Sequence, residues 1–87
     1  MTELTVSVVS ADEEVWSGTA SMVVARTTEG QIGILPGHEP MLAILGAGEV
    51  RITSGGQSIT ANADDGFLSV EHDMVTVVAR YAELVTA

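Results

Sequence analysis

The sequence predicts an all-β fold, an antiparallel β-sandwich or flattened barrel, as a single domain covering residues 1–87. Short runs rich in valine, isoleucine and threonine are separated by turn residues about every 8–12 positions, which is typical of strands in a sandwich. Several runs alternate apolar and polar residues, as half-buried strands do. No stretch has a strong helical period, and strands that follow one another without helices favour antiparallel pairing in two packed sheets.

Four strands are predicted in the first half of the chain. The first is the clearest, because Leu4, Val6 and Val8 alternate with polar residues. The four predicted runs are residues 4–8, 15–18, 22–28 and 31–35. Residues 12–14 are acidic, Glu29-Gly30 ends the third run, and the prolines and glycines after residue 35 end the fourth.

Five further strands are predicted in the second half, which gives about nine or ten in all. They are residues 41–45, 49–53, 57–63, 67–70 and 74–79. The breaks between them are predicted turns at residues 46–48, 54–56, 64–66 and 71–73. Ser54-Gly55-Gly56 predicts a β-hairpin, because glycine adopts a positive φ at little steric cost. Residues 80–87 lose the alternation and resemble the start of a helix.

The charge excludes two classes of partner. The net charge is −9, with no lysine and only three arginines. Nucleic-acid binding requires clustered cationic side chains, and an anionic membrane surface would repel such a chain. The acidity serves either solubility or the choice of a basic partner, and the sequence leaves both open.

The composition, the first three residues and the length of the apolar runs indicate a soluble, cytoplasmic protein. The absence of cysteine excludes disulfides, thiolate metal sites and thiol nucleophiles. The first residues, Met1-Thr2-Glu3, are acidic and lead into a strand, so no signal peptide is expected. The longest apolar run, residues 41–45, is far shorter than the roughly 18 residues that a membrane-spanning helix needs.

No catalytic, cofactor or metal site is expected. Only two histidines are present, and His38-Glu39 supplies fewer ligands than zinc requires. The neighbouring carboxylates Asp64 and Asp65 are explained as turn residues beside Gly66. The glycines at 46–48 lack the following helix and lysine of a phosphate-binding loop. A lipoyl or biotinyl carrier domain is excluded, because the chain has no lysine to carry the group.

The segment from Glu29 to Met41 is the most unusual part of the sequence. It holds both prolines of the chain, Pro36 and Pro40, with glycines close by and His38 between them. Proline fixes φ near −65° and restricts the preceding residue, so the segment is stiff. Stiffness lowers the entropic cost of docking to a partner. A rigid turn whose histidine faces solvent is the alternative interpretation.

The sequence of this segment, EGQIGILPGHEP at residues 29–40, resembles the signature of the epsilon subunit of bacterial F-type ATP synthases. The likeness extends along nearly the whole chain. Residues 8–12 and 15–18 are similar to the opening strands of that family, and residues 65–70 and 75–79 to its closing strands. The motifs Trp-Ser-Gly and Ala-Arg-Thr-Thr are most similar to those of actinobacterial members.

The resemblance implies a ten-stranded β-sandwich at the foot of the central stalk of a proton-translocating ATP synthase. Such a domain is not itself an enzyme. It binds the gamma subunit on one side and the c subunits of the membrane rotor ring at its lower end, and it turns while proton flow drives ATP synthesis. The implied location is peripheral, on the cytoplasmic face of the plasma membrane.

Site residues are implied by position. Glu29, Gln31 and His38 would form a tip that contacts the rotor ring. Ser10, together with the apolar residues Met41, Leu42 and Ala43, would lie towards gamma. In this interpretation residues 41–45 are apolar on both faces because one face packs on the core and the other meets a partner. Basic or amide-rich ring loops would complement the acidity of the chain.

The sequence departs from the family pattern in two places. The family often has a carboxylate where this chain has Gln31, so an ion pair to the ring would become a neutral hydrogen bond. Full-length members continue into a two-helix carboxyl-terminal domain that inhibits ATP hydrolysis, and this chain ends where those helices should begin. Inhibition and nucleotide sensing are therefore not assigned to residues 1–87.

Two rival functions remain open on the sequence alone. One is a free-standing β-sandwich module that binds a small ligand through Trp16 and His38. The other is a minor enzyme that uses His38 and Glu39. Replacing His38 with alanine should weaken assembly with the ring and leave the fold intact, if the family resemblance holds.

Overall fold

The structure is a computed structural model that describes residues 3–11 and 13–85, except for the side chain of Ala47. In these residues it has seven β-strands. The strands are β1 (Leu4–Val9), β2 (Glu14–Ala20), β3 (Met22–Thr27), β4 (Gly30–Ile34), β5 (Met41–Ser54), β6 (Gln57–Glu71) and β7 (Met74–Val85). They join in one hydrogen-bonded order, β2-β1-β7-β6-β5-β3-β4. The prediction of an all-β fold is confirmed.

The predicted count of ten strands is wrong, because β5, β6 and β7 are long strands that the sequence divides in two. Each bends in the middle and crosses from one layer of the sandwich to the other. The inward-facing residues of β7 show the change: Val75, Val77 and Ala79 are buried at odd positions, whereas Ala82 packs on the core at an even one. Because side chains alternate along a strand, this change of phase looks in the sequence like the end of a strand.

The bends lie where the sequence predicted turns. On β6, Asp65 has a positive φ of 58° and Gly66 follows it. The backbone of β7 lies against Gly66, since a Cβ there would be 1.9 Å from the carbonyl oxygen of Val78. Residues 46–48 and 64–66 are therefore bends within β5 and β6 rather than turns between strands. Residues 80–85 continue β7 and do not start a helix, and residues 86–87 lie outside the described residues.

The bends define two layers. The first layer holds β2, β1 and the halves of β7, β6 and β5 that comprise residues 74–79, 66–71 and 41–45. The second layer holds β4, β3 and the other halves, residues 48–54, 57–63 and 81–85. The two layers also meet at the edge, where the Ser21 N–H donates to the carbonyl oxygen of Thr53 at 2.8 Å. The sandwich is thus built from a single folded sheet.

Two details of the pairing differ from the prediction. All neighbouring strands are antiparallel except β1 and β7, which pair in parallel from Thr5–Met74 to Val9–Val78. Within the described residues the ladder ends at β2 and β4, so the sheet is open and does not close into a barrel. The arrangement is a folded open sheet rather than the flattened barrel of the prediction.

The hairpin turns agree with the sequence. Gly55 and Gly56 both have positive φ, as a two-residue hairpin turn requires. His72 and Asp73 form the β6–β7 turn and also have positive φ, at 51° and 59°. The core lies between the layers and consists of small and branched apolar side chains from all seven strands, with Leu4, Ile34, Ile52 and Leu68 its largest fully buried members.

Candidate functional site: a partner-docking surface

The sandwich has two ends, and the predicted site residues divide between them. The bend end holds the bends of β5, β6 and β7 and the β3–β4 turn. The loop end holds the β6–β7 turn and the loop of residues 35–40. In the described residues no side-chain group of three or more His, Asp or Glu could hold a metal ion, and no helix is long and apolar enough to cross a membrane.

Glu29 and Gln31 lie at the bend end. The Thr28 N–H donates to the carbonyl oxygen of Ile44 at 3.0 Å, which fixes the β3–β4 turn beside the bend of β5. Thr27 Oγ1 closes the turn, because it accepts from the Glu29 N–H at 3.1 Å and donates to the Gly30 carbonyl at 2.8 Å. Both Glu29 and Gln31 are exposed, so this end presents a rigid turn with free polar side chains.

His38 lies at the loop end. The Gly37 N–H donates to Asp73 Oδ1 at 2.7 Å and the His38 N–H donates to the Leu35 carbonyl at 3.1 Å, which ties the loop to the β6–β7 turn. The His38 ring is held by its Nδ1, which donates to the Glu39 carbonyl at 2.7 Å. The structure thus does not bring His38 together with Glu29 and Gln31. The single tip predicted from the sequence is wrong, because β4 carries the chain from one end to the other between them.

The residues predicted to face gamma divide between the two faces of the first layer. Met41 packs against the core and Ala43 shares its face, so both lie on the inner side. Leu42 points outward and is 67% exposed, and Ile44 beside it on the same face is 57% exposed. The expectation of one core face and one free face along residues 41–45 matches this alternation, but only Leu42 among the three predicted residues is freely accessible.

An apolar row that sequence reasoning missed crosses the outer face of the first layer. Ile44 is paired with Phe67, Phe67 with Val78, and Val78 with Val9, so the four side chains lie side by side on four strands. Phe67 is 40% exposed, and Val9 and Val78 are half-buried. Their alternation was visible in the sequence, but the parallel pairing of β1 with β7, which aligns them, was not.

Ser10 lies at the far end of this row. It follows Val9 directly, and its backbone N–H donates to the carbonyl oxygen of Glu13 at 2.9 Å. The surface from Leu42 and Ile44 through Phe67 and Val78 to Val9, which we call the outer apolar row, is continuous, and Ser10 adjoins its Val9 end. Contiguous exposed apolar side chains on a small soluble domain mark interaction sites.

Comparison with known proteins identifies the family. The model of the ATP synthase delta/epsilon chain β-sandwich domain matches residues 3–85. The chain belongs to the ATP synthase delta/epsilon chain family. The epsilon chain of Micrococcus luteus ATP synthase is 55% identical over 85 residues, which cover 97% of this chain and 93% of that one. The epsilon chain of Streptomyces coelicolor is 49% identical over 83 residues, or 94% of this chain and 67% of the relative.

A solved structure shares the fold of this delta/epsilon family member. The match is to a chain in the cryo-EM structure of the Euglena gracilis mitochondrial ATP synthase, described as OSCP/F1/c-ring, with a TM-score of 0.90. The two chains are 23% identical, and the match covers 97% of this chain and 54% of the other. At that identity the likeness shows the fold alone. The resemblance to epsilon chains, and to actinobacterial ones in particular, is confirmed by the sequence relatives.

The small-ligand alternative gains no support from the cavities. Two shallow clefts occur on the described surface, one of about 200 Å³ lined by residues of β3, β4 and β5 and one of about 290 Å³ lined by residues of β6 and β7 with the turn between them. Neither contains Trp16 or His38. Trp16 packs on the core near the bend end, with its ring over Gly18, whereas His38 is at the loop end.

Proposed function

We propose that this chain is a domain of the central stalk, or rotor, of a proton-translocating F-type ATP synthase. In this role it docks the gamma subunit to the membrane ring of c subunits and couples proton flow to ATP synthesis, while the chemistry takes place in other subunits. The observation that carries the proposal is the outer apolar row, in a chain 55% identical to an ATP synthase epsilon chain. The ATP synthase complex would hold this chain peripherally at the cytoplasmic face of the plasma membrane.

Gamma is the proposed partner of the outer apolar row. Ile44 and Leu42 present large apolar side chains that are more than half exposed, and Ser10 supplies a hydroxyl at the other end. Met41 and Ala43 contribute from beneath, by fixing the strand on the core. A docked surface of this kind gains its affinity from a few large apolar side chains that become desolvated.

The rotor ring is the proposed partner of the bend end. This end carries exposed carboxylates from three separate segments: Glu13, Glu14, Glu29, Asp64 and Asp65. Of these, only Asp65 is paired with an arginine in the described residues, at 3.9 Å from Arg80. Basic loops of a ring would meet complementary charge there. Glu29 and Gln31 therefore stay as proposed ring contacts, whereas His38 points to the opposite end and is not expected to touch the same surface.

Binding to purified gamma subunit tests the first contact. We expect Ile44→Ser to weaken the complex about tenfold or more, since interface anchors contribute about 2 kcal/mol or more when truncated. Leu35→Ser is the matched control, because Leu35 is also 57% exposed but lies in the loop at the loop end. Isothermal titration calorimetry measures both. Equal affinities for the two variants would contradict the proposed docking face, and a wild-type chain that ignores gamma would contradict the function.

Attachment to purified ring tests the second contact. A preformed complex of gamma with this chain is expected to bind the ring more weakly when Glu29 is replaced by glutamine, and more so at low ionic strength, where charges are less screened. Glu71→Gln removes the same charge from an exposed position at the loop end and is expected to change little. A loss caused by Glu71→Gln or His38→Ala, but not by Glu29→Gln, would show that the loop end faces the ring.

A further inference from the structure

The outer face of the second layer carries a concentration of positive charge. The chain has a net charge of −9 and three cationic side chains, and two of them, Arg26 and Arg51, line one cleft of about 200 Å³. The third, Arg80, lies at the bend end beside Asp65. A cleft that collects two of three cations on a strongly acidic chain favours a negatively charged group.

The floor of the cleft is shaped by a missing side chain. Arg26 lies over Gly48, where a Cβ would be 3.3 Å from the Arg26 Cδ and 3.4 Å from its Cβ. Glycine at position 48 therefore lets the stem of Arg26 lie flat along the sheet. Val24 lies directly opposite Arg51 and Gln31 opposite Arg26, so the cleft is flanked by one apolar side chain and one amide.

The two guanidinium groups are incompletely neutralised. Arg26 forms no ion pair with any side chain of the described residues. Arg51 is 3.5 Å from Glu49, and both side chains are more than half exposed, so the contact is weak and can exchange. One carboxylate against two guanidiniums leaves the cleft with one uncompensated positive charge. Arginine also binds carboxylates in a bidentate geometry that an incoming group can use.

Gly33 supplies an independent observation on the same face. It lies in the middle of β4, opposite Val24, with no positive φ, and no atom lies within 4 Å of where its Cβ would be. Nothing in the described part of the chain therefore requires glycine there. A glycine inside a strand weakens it, and such a residue often marks the close approach of another backbone.

We infer that the cleft binds a carboxylate side chain of a partner polypeptide, whose backbone crosses the sheet over Gly33 and Val24. The carboxylate lies between Arg26 and Arg51 and displaces Glu49 from Arg51, and the Gln31 amide donates to it from the rim. The volume favours a side chain over a free nucleotide, since pockets for drug-sized molecules are about 300–1,000 Å³. This surface is separate from the outer apolar row and does not depend on the proposed contact with gamma. It shares Gln31 with the proposed ring contact, whereas Arg26 and Arg51 belong to the cleft alone.

A peptide titration of the full ¹⁵N-labelled chain tests the inference. The probe is an acetylated, amidated pentapeptide in which threonine alternates with glutamate, and the matched peptide has glutamine in place of glutamate. We expect the acidic peptide to shift the amide resonances of Gln31, Gly33 and Gly48, and the glutamine peptide to shift them at least tenfold less strongly at equal concentration.

Four variants assign the effect to the cleft. Arg26→Gln and Arg51→Gln should each raise the Kd of the acidic peptide about tenfold, because each removes a charged hydrogen-bond partner. Arg80→Gln removes the same charge elsewhere and should change the Kd less than about twofold, the effect of a screened distant charge. Gly33→Leu should block the approach and raise the Kd with both arginines in place.

Several outcomes would overturn the inference. Equal effects of Arg80→Gln and Arg26→Gln would show attraction by net charge alone, and equal binding of the glutamine peptide would remove the role of the carboxylate. Stronger shifts of the same resonances with adenosine triphosphate or inorganic phosphate would make the cleft a small-anion site. Shifts that grow with protein concentration in the absence of peptide, and vanish in Arg26→Gln, would show that a second copy of the chain occupies the face.

Discussion

Gly66 shows at the scale of one residue how the fold depends on the absence of a side chain. The backbone of β7 approaches so closely that a Cβ at position 66 would be 1.9 Å from the Val78 carbonyl oxygen and 2.5 Å from the Ala79 Cα. Backbone atoms cannot move aside as the end of a flexible side chain can. The sequence predicted a turn at residues 64–66, whereas the role of Gly66 in the structure is to admit a neighbouring strand.

Gly66→Ala is therefore expected to lower the free energy of unfolding by about 3 kcal/mol or more, as overpacking against backbone does. Gly46→Ala is the control, because Gly46 lies in the bend of β5 with no atom within 4 Å and no positive φ. It should change the stability by about 0.5 kcal/mol or less. Urea unfolding followed by tryptophan fluorescence measures both, and similar losses in the two variants would contradict the close packing at Gly66.

Tyr81 is the only tyrosine, and its titration reports on one exposed contact. Its O–H donates to Glu83 Oε2 at 3.0 Å. This hydrogen bond, and then the negative charge of Glu83, raise the pKa of Tyr81 above its usual value of 10.0. The folded state thus holds the phenolic proton more tightly, so the contribution to stability is present below pH 10 and is lost as the pH rises through the raised pKa.

Glu83→Gln should lower the pKa of Tyr81 towards its usual value, because it removes the charge, and absorbance at 295 nm follows the titration. Asp64→Asn should lower it less, since the charge of Asp64 is the smallest of the causes. A wild-type tyrosine that titrates at or below pH 10 would show that the Tyr81–Glu83 contact does not persist in solution.

The three long strands are the feature that distinguishes the observed elements from the predicted ones. Every predicted run coincides with a strand, apart from the last residues of two runs, Thr28 and Leu35, because apolar alternation is set locally by burial on one face. The joining of runs 41–45 with 49–53, and of 57–63 with 67–70, was not predictable in the same way. Glycine and aspartate at the junctions favour turns as readily as bends, and only the partner strand, which bends at the same level, decides between them.

The candidate docking surface, like the strands, was predictable only where it depends on neighbouring residues of the chain. The apolar run at residues 41–45 indicated one free face, and the outward position of Leu42 and Ile44 agrees with it. The neighbours of that face, Phe67, Val78 and Val9, depend on register between strands far apart in the chain. The shared tip of Glu29, Gln31 and His38 was wrong for the same reason, because nearness along the chain does not give nearness across a sandwich.

One hydrogen bond, from the Gly37 N–H to Asp73 Oδ1, ties the loop of residues 35–40 to the β6–β7 turn. Asp73→Gly removes the acceptor and still tolerates the positive φ of 59° at this position. Asp73→Asn is the control, because asparagine keeps an oxygen acceptor and also tolerates that φ. We expect amide hydrogen exchange of Gly37 to accelerate about fivefold or more, for a lost hydrogen bond of about 1 kcal/mol, in the first variant only. Unchanged exchange in Asp73→Gly would show that the prolines alone hold the loop.

The whole molecule presents three surfaces of different chemistry. The first layer exposes the outer apolar row, the bend end exposes carboxylates, and the second layer exposes the arginine cleft. The net charge of −9 follows from the sequence, but it does not show how the charges are distributed over the surface. The two arginines of the cleft are 25 residues apart in the chain and come together only through the pairing of β3 with β5. A stalk subunit that holds several neighbours at once requires such separate surfaces, and a single-ligand module does not.

Amide hydrogen exchange of the complex with purified gamma subunit tests the central claim most directly, because it shows which face becomes covered. We expect slower exchange in the first layer around Leu42, Ile44, Phe67 and Val78, and unchanged exchange at Glu29 and at the second-layer residues Gly33 and Arg51. The absence of any protection, or protection confined to the second layer, would contradict the docking of gamma on the outer apolar row.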